Sequence, residues 1–323
     1  MPAPPSQPPA LPVRLGDFHR LGLVSDHPGP EVAAWLERVL GARPLAGTAA
    51  LHDFWHPAPS TDPAGGGTSA ESAARSWLWW IAGLPFAVFE ATDDTSAVAD
   101  FLRRYGPGPH SFAWCVNDLW TVEQLLRRAD VRITGTDVPG RHFFMHPKDS
   151  GGILVEWTDT YLRDDPRDGG TLPAVAAPAV EVTHVAWTTA VVRDAARVAG
   201  VLHRLTGAQE IAGNPRADED IEETVDLLVH DIVLRLIAPR SARSRHAEVL
   251  ERRGERLYSV CWGVPDLRGA AHAFEDLGIG VVDEAPGRLW SDPATTLGLP
   301  FEWTEDSVVA PGAALEGPLP RTP

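Results

Sequence analysis

The stretch Ser111-Phe-Ala-Trp-Cys-Val-Asn-Asp-Leu119 recurs 148 positions later as Ser259-Val-Cys-Trp-Gly-Val-Pro-Asp-Leu267. Downstream of each copy, Val155-Glu-Trp-Thr158 recurs as Phe301-Glu-Trp-Thr304. Self-similarity at a fixed distance is the signature of a duplicated architecture. The chain of 323 residues therefore consists of two halves with the same layout.

Each half is predicted to contain two copies of a smaller unit. In the first unit, an alternating apolar segment at 18–25 precedes a segment at 31–40 whose apolar residues share one helical face, and Gly41 ends that helix. Three further strands complete the unit, and they are predicted at 47–56, 76–82 and 85–92. The same order follows three more times, so we expect an α+β fold of four βαβββ modules that form two tandem domains.

The domain boundaries follow from this repeat and from a segment rich in Asp, Gly, Pro and Ala between the two halves. The predicted segments are a flexible Pro-rich tail at 1–12, a first domain at 13–160, a linker at 161–179, a second domain at 180–306 and a flexible tail at 307–323.

The composition narrows the function. A formal charge of −16 repels nucleic-acid phosphates and anionic lipid surfaces, so neither partner is expected. Cys115 and Cys261 lie in apolar segments and offer no disulfide framework, which favours a reducing compartment. The N-terminus has no signal-peptide pattern, and no apolar segment is long enough to span a membrane. We expect a cytoplasmic protein that acts on a small molecule, and a homodimer remains open.

Two histidines and two glutamates fall at matching places in the two modules of the first half. His19 and His110 lie in the first predicted strands, and Glu90 and Glu156 lie in the last ones. If the two modules pair around a pseudo-twofold axis, these strands bring all four side chains to the centre of one curved sheet. Two imidazoles and two carboxylates suit Zn, Ni, Co, Mn or Fe(II). We therefore predict one divalent metal ion per chain, held by His19, Glu90, His110 and Glu156.

Other histidines are expected to be structural, with two exceptions. His142 and His146 precede Glu156 on a neighbouring strand and could reach the same cavity.

The second half departs from this pattern. Phe18-His19 aligns with Thr183-His184, and Glu302 aligns with Glu156, but Arg235 and Tyr258 stand where Glu90 and His110 are expected to have counterparts. An arginine adds a positive charge where a cation would bind, and a tyrosine is a poor neutral donor. The C-terminal site is therefore expected to be empty, with His184, Glu302 and Arg235 forming a buried polar network.

The order of the quartet, together with His146-Pro-Lys-Asp-Ser-Gly-Gly-Ile-Leu-Val-Glu156, resembles the vicinal oxygen chelate superfamily. The last motif is similar to that of methylmalonyl-CoA epimerase, and the quartet is similar to that of bacterial glyoxalase I. The module pattern covers nearly all of residues 13–306. The resemblance implies paired βαβββ modules, a divalent metal at the centre of the curved sheet, and a substrate that chelates this metal through vicinal oxygens.

Four protein ligands favour a metal-dependent epimerase or isomerase that abstracts a proton alpha to a carbonyl, because the metal stabilises the enolate. Glu90 or Glu156 would then act as the base. Doubled members of the superfamily include epimerases of keto-cyclitols such as 2-epi-5-epi-valiolone, which favours a small keto-polyol or cyclitol of secondary metabolism as the substrate. No Gly-rich phosphate loop follows a predicted strand, so no organic cofactor is expected.

Three alternatives stay open at this stage. A methylmalonyl-CoA-type epimerase would need a basic patch for its substrate, which only Lys148, Arg141 and nearby arginines offer. An Fe(II) extradiol-type dioxygenase would use two histidines and one glutamate, so Glu90 distinguishes it from the epimerase. A non-catalytic protein that binds an antibiotic or another small molecule needs no metal.

Overall fold

The computed structural model describes residues 15–45, 67–69, 74–135, 142–160, 162, 165–211 and 220–306. The predicted strand at 47–56 and the two predicted tails lie outside these residues. In the described ranges, no helix is long and apolar enough to cross a membrane.

The described residues of the N-terminal half form one mixed sheet and three helices. Its elements are β1 (Leu15–Val24), α1 (Gly29–Leu40), β2 (Arg43–Pro44), β3 (Gly67–Ser69), β4 (Ala74–Ile81), β5 (Leu84–Ala91), α2 (Ala97–Tyr105), β6 (Gly108–Val116), α3 (Leu119–Arg128), β7 (Ile133–Thr134), β8 (His142–Met145) and β9 (Leu154–Thr158). The strand order is β2-β4-β5-β1-β6-β9-β8-β7, with β3 paired to β4.

The C-terminal half repeats this arrangement. Its elements are β10 (His184–Val191), α4 (Ala195–Thr206), β11 (Gln209–Ile211), β12 (Glu222–Val229), β13 (Ile232–Pro239), α5 (Arg245–Arg253), β14 (Arg256–Gly263), α6 (Leu267–Leu277), β15 (Val281–Ala285), β16 (Arg288–Ser291) and β17 (Phe301–Thr304). The order β11-β12-β13-β10-β14-β17-β16-β15 matches that of the first sheet. The predicted α+β fold of four βαβββ modules in two tandem units is confirmed.

The repeated stretch of sequence encodes a strand followed by a capped helix. Asp118 accepts a hydrogen bond from the backbone N–H of Thr121 at the start of α3, and Asp266 does the same for Arg268 at the start of α6. These caps satisfy N–H groups that a helix start leaves unpaired. Gly41 ends α1 in a left-handed conformation with φ of 66°, which glycine adopts at little cost.

The helices α1, α3, α4 and α6 pack against one face of each sheet, and the two sheets share a single apolar core. Phe86 of the first sheet lies with its ring centroid 5.5 Å from that of Trp262, and Trp35 of α1 stacks 5.8 Å from Phe301. Because side chains alternate across a strand, every second residue points to the opposite face of its sheet. We call that opposite face the polar face, since it carries most of the buried charged side chains.

The segment after β9 lies against the polar face of the N-terminal sheet. Leu162 is buried in an apolar cluster with Leu78, Trp80 and Ala87 of β4 and β5. Arg167 follows in a short 3-10 helix, where its guanidinium lies 5.5 Å from the ring centroid of Trp80. The predicted linker thus covers part of the face on which the metal site was expected.

Candidate functional site on the polar faces

A β-bulge in β1 places His19 beside Arg20. Phe18 is paired with Trp114 of β6, whereas Arg20 is paired with Ala113, so His19 is the additional residue between them. A bulge re-aims the side chains of a strand and is frequent near binding sites. Arg20 thereby shares the polar face with Ala113 and with Glu156, which is the β9 partner of Ala113.

Arg20 is the centre of this face, and sequence reasoning missed it. Its Nη1 lies 2.7 Å from Nδ1 of His19, and its Nη2 donates to Oε2 of Glu156 at 2.5 Å. All three residues are at most 2% exposed. The signal in the sequence was a cation directly after His19, at the start of the apolar run that completes β1.

The contacts of His19 define its protonation. A guanidinium can only donate, so Nδ1 of His19 is the acceptor and Nε2 carries the proton. Burial, followed by the charges of Arg20, Arg167 and His142, lowers the pKa of His19 well below its ordinary value. Nε2 of His19 and Oε1 of Glu156 are both buried without a hydrogen-bond partner. Unsatisfied buried polar atoms are costly, so this pair of atoms fits a polar group of a ligand or a water molecule.

Glu90 does not lie on this face, and the prediction that it corresponds to Glu156 is wrong. Phe86 is the β5 partner of Leu21, and Val155 is the β9 partner of Phe112. The counterpart of Glu156 in β5 is therefore Ala87. Glu90 alternates with the core residues on the helix-packed face, and its Oε2 lies 3.4 Å from the N–H of Gly29 in α1.

His110 lies at a second bulge, in β6, and is half-buried among aromatic rings. Its ring centroid is 4.8 Å from that of Phe101 and 5.9 Å from that of Phe89, and its Nδ1 is 3.1 Å from Oγ of Ser111. Burial, followed by the charges of Arg20 and Arg256, lowers the pKa of His110 to about 4. His110 is therefore neutral at pH 7.

Of the two additional histidines, His142 reaches the polar face and His146 does not. His142 is buried on β8 opposite Thr158, and its charge acts on His19. His146 instead begins a 3-10 turn, where its Nδ1 accepts a hydrogen bond from the N–H of Lys148 at 3.2 Å.

These side chains do not fit a divalent metal as they stand. In the ranges that the structure describes, no three His, Cys, Asp or Glu side chains form a group that could hold a metal ion. Without Glu90, the donors left are two histidines and one glutamate, the set of the dioxygenase alternative. However, the guanidinium of Arg20 pairs with Glu156 and takes Nδ1 of His19, so a positive charge occupies the centre of the donor set.

Strand register also corrects two equivalences in the C-terminal half. Val185 is paired with Trp262 as Phe18 is with Trp114, and Ala186 is the bulge residue. The counterparts of His19 and Arg20 are therefore Ala186 and Trp187. His184 precedes the position equivalent to His19 by two residues, so the predicted equivalence of these two histidines is wrong.

The same reasoning applies to β13. Arg235 follows Leu234, which is paired with Thr188 as Phe86 is with Leu21. Arg235 is thus the counterpart of Ala87 and not of Glu90. The equivalence of Tyr258 with His110 and that of Glu302 with Glu156 agree with the register.

The C-terminal polar face carries different ion pairs from those expected. Arg235 donates to both carboxylate oxygens of Asp226, at 2.7 and 2.8 Å, and its guanidinium lies 3.7 Å from the ring centroid of Trp187. Oε1 of Glu302 accepts hydrogen bonds from Oγ1 of Thr189, at 2.7 Å, and from Ser259. His184 instead contacts Thr183, so the predicted network of His184, Glu302 and Arg235 is wrong.

Comparison with known proteins identifies the fold. No family model and no curated protein matches the chain. The structure is similar to that of a substituted variant of 4-hydroxymandelate synthase from Streptomyces coelicolor, with a TM-score of 0.57 and 14% sequence identity over 90% of this chain and 92% of that one.

Two single-domain structures match about half of the chain. Methylmalonyl-CoA epimerase from Mycobacterium tuberculosis has a TM-score of 0.35 and 23% identity over 48% of this chain and 92% of its own length. A hypothetical protein from Bacillus halodurans has a TM-score of 0.37 and 18% identity over 46% of this chain and 96% of its own. The similarity to the 4-hydroxymandelate synthase structure over 90% of the chain shows that the two proteins share a doubled fold.

Proposed function

We propose that the protein binds a small organic molecule without a resident divalent metal. The observation that carries this proposal is the position of Arg20. Its guanidinium holds Nδ1 of His19 and Oε2 of Glu156, the two predicted metal ligands that meet on the polar face. A metal ion bound there would have to displace the buried guanidinium of Arg20. Glu156 would then only exchange one positively charged partner for another.

Unsatisfied buried atoms support binding over a purely structural role. On the N-terminal polar face, the N–H of His19 Nε2 and the acceptor Oε1 of Glu156 have no hydrogen-bond partner. The C-terminal polar face also has buried donors without an acceptor. Natural proteins satisfy nearly all such groups, so several on the two faces point to an absent polar partner. Of the functions weighed from the sequence, the non-catalytic binding protein is the one that needs no metal.

The metal-dependent epimerase is a second proposal, because Nε2 of His19 and Oε1 of Glu156 have no other partner. It requires the proton of His19 to move from Nε2 to Nδ1 and Arg20 to leave both residues. A CoA-ester epimerase or an Fe(II) dioxygenase would require the same proton shift and the same displacement of Arg20.

Metal analysis distinguishes the two proposals. We would express the full chain in media supplemented with Zn, Ni, Co, Mn or Fe(II), the last without oxygen, and measure the metal content after gel filtration. We expect far less than one metal per chain and no change of Tm when each ion is added. One ion per chain that is lost in His19→Ala and Glu156→Ala, but kept in the exposed control His272→Ala, would overturn metal-independent binding. Solvent deuterium appearing in a keto-cyclitol would then identify the epimerase.

Ligand binding is tested on the metal-free chain by thermal shift with cyclitols, sugar phosphates and small aromatic acids. We expect a subset of these compounds to raise Tm in a saturable way, because a ligand that binds only the folded state stabilises it. A chain that none of them stabilises, with or without added metal, would contradict the binding proposal.

A further inference from the structure

Two arginines meet on one tryptophan ring of the C-terminal polar face. Arg288 lies on β16 opposite Thr304, and its guanidinium is 4.7 Å from the ring centroid of Trp187. The guanidinium of Arg235 lies 3.7 Å from the same ring. Two like charges that share one aromatic side chain repel each other unless an anion lies near both.

The negative charges of Glu302 and Asp306 act on Arg288, but neither carboxylate is paired with it. Among the residues that the structure describes, no carboxylate forms an ion pair with it, and its buried Nε has no hydrogen-bond partner. Burial, followed by the charge of Arg235, lowers the pKa of its guanidinium. Arg235 is paired with Asp226 through Nε and Nη2, which leaves its buried Nη1 without a partner.

Two neighbouring side chains limit what can lie between these donors. Trp290 is opposite Glu302 on the same face, and its buried indole N–H has no acceptor. Glu302 is held by the hydroxyls of Thr189 and Ser259 and not by a guanidinium, although its charge acts on both arginines. Among the described residues, the face thus offers three unpaired donors, and its carboxylates Asp226 and Glu302 already accept hydrogen bonds.

We propose that this face binds the oxyanion of a small molecule, a carboxylate or a phosphate, between Arg288 and Nη1 of Arg235, with the Trp290 N–H as a third donor. This inference rests on the proposed function, for which it names the ligand class. Guanidinium groups hold carboxylates and phosphates through charge-assisted hydrogen bonds, which are about twice as strong as neutral ones. The aromatic surroundings favour an oxyanion that is attached to an apolar group.

A ligand-binding role and a structural role of Arg288 predict different effects on stability. An arginine that only supports the fold loses stability when it is removed, whereas Arg288 is repelled by Arg235 and has no ion pair to lose. Arg288→Met keeps much of the alkyl chain over Trp187 and removes the charge. Without a ligand, we expect this variant to have a Tm equal to or higher than that of the wild type.

The binding test uses benzoate, its neutral analogue benzamide, and inorganic phosphate as probes, in low-chloride buffer by isothermal titration calorimetry. We expect benzoate or phosphate to bind and benzamide not to bind. Arg288→Met should weaken the binding about tenfold or more, since a hydrogen bond to a charged group contributes about 1.5–3 kcal/mol. Arg268→Met removes the same charge from the exposed surface of α6 and should leave binding unchanged. Glu302→Gln should tighten binding because it removes a like charge.

The outcomes separate this inference from the proposed function. Equal binding of an oxyanion by the wild type and Arg288→Met, or equal binding of benzamide and benzoate, would overturn the oxyanion site and leave metal-independent binding intact. Stoichiometric metal that depends on His19 would overturn the proposed function, whatever the titrations with oxyanions give. A fall of Tm in Arg288→Met together with unchanged affinity would make Arg288 a structural residue.

Discussion

The two polar faces keep the same buried glutamate and surround it differently. In the N-terminal sheet, Glu156 is paired with Arg20 on β1. In the C-terminal sheet, Trp187 holds the place of Arg20, and Glu302 is bound by two hydroxyl groups. This second face carries two arginines, Arg235 on β13, which is paired with Asp226, and Arg288 on β16.

This difference shows that a buried charge can be compensated from more than one strand. A carboxylate loses its hydration on burial, so it needs either an opposite charge or several hydrogen-bond donors. The first solution uses the charge of Arg20 and occupies the centre of the N-terminal face. The second solution uses hydroxyl groups, so Nη1 of Arg235 and Nε of Arg288 remain without an acceptor. These donors place the proposed ligand site on the C-terminal face.

Removing Arg235 should have the largest effect. Arg235→Met leaves Asp226 as an unpaired buried charge and is expected to lower the free energy of unfolding by about 3–5 kcal/mol. The N-terminal sheet has Leu78 and Ala87 at the two equivalent places. Adding Asp226→Leu to Arg235→Met should therefore recover most of the loss, as measured by urea unfolding. If the double variant is no more stable than Arg235→Met alone, the loss does not come from the unpaired charge of Asp226.

The two glutamates should differ when each is neutralised. Glu156→Gln removes the carboxylate that is paired with the buried guanidinium of Arg20 and should cost about 3 kcal/mol. Glu302→Gln keeps an amide oxygen as acceptor for Thr189 and Ser259, so a cost of about 1 kcal/mol is expected. Urea unfolding of both variants at pH 7 measures the difference. Equal losses would show that the hydroxyls and the guanidinium stabilise the carboxylate equally.

The last comparison concerns pH and the pair His110 and Tyr258. The pKa of His110 falls from an ordinary 6.5 to about 4 in the folded protein, so the unfolded chain binds more protons between these values. The stability contributed by neutral His110 is therefore lost as pH falls from about 6.5 towards 4. His110→Tyr copies Tyr258, which does not titrate in this range.

We expect the variant to lose less stability than the wild type between pH 7 and pH 4.5, by about 2 kcal/mol once the half-buried position of His110 is taken into account. Urea unfolding at the two pH values is the measurement. Parallel losses in both proteins would place the protonation that matters elsewhere, with His19 the first residue to examine.

Much of the fold could be predicted from the chain because the repeated stretches encode local structure. The repeated stretch predicts a strand followed by a helix, and in the structure Asp118 and Asp266 cap the starts of α3 and α6. The site was harder to predict. His19 and Glu156 were identified and do meet, but the residue between them, Arg20, gave no signal beyond its charge.

The sequence by itself determined the order of elements, the duplication and the four βαβββ modules, because periodicity, caps and repeats act over short distances. Only the tertiary structure decided which face each ionisable side chain occupies. Side chains alternate with a period of two, and β1 and β10 each contain a bulge, at His19 and at Ala186. Alignment by residue type therefore misplaced His184 and Arg235, although it placed Tyr258 and Glu302 correctly. Strand β5 is apolar on both faces, so nothing in its sequence showed that Glu90 points to the helices and Ala87 to the polar face.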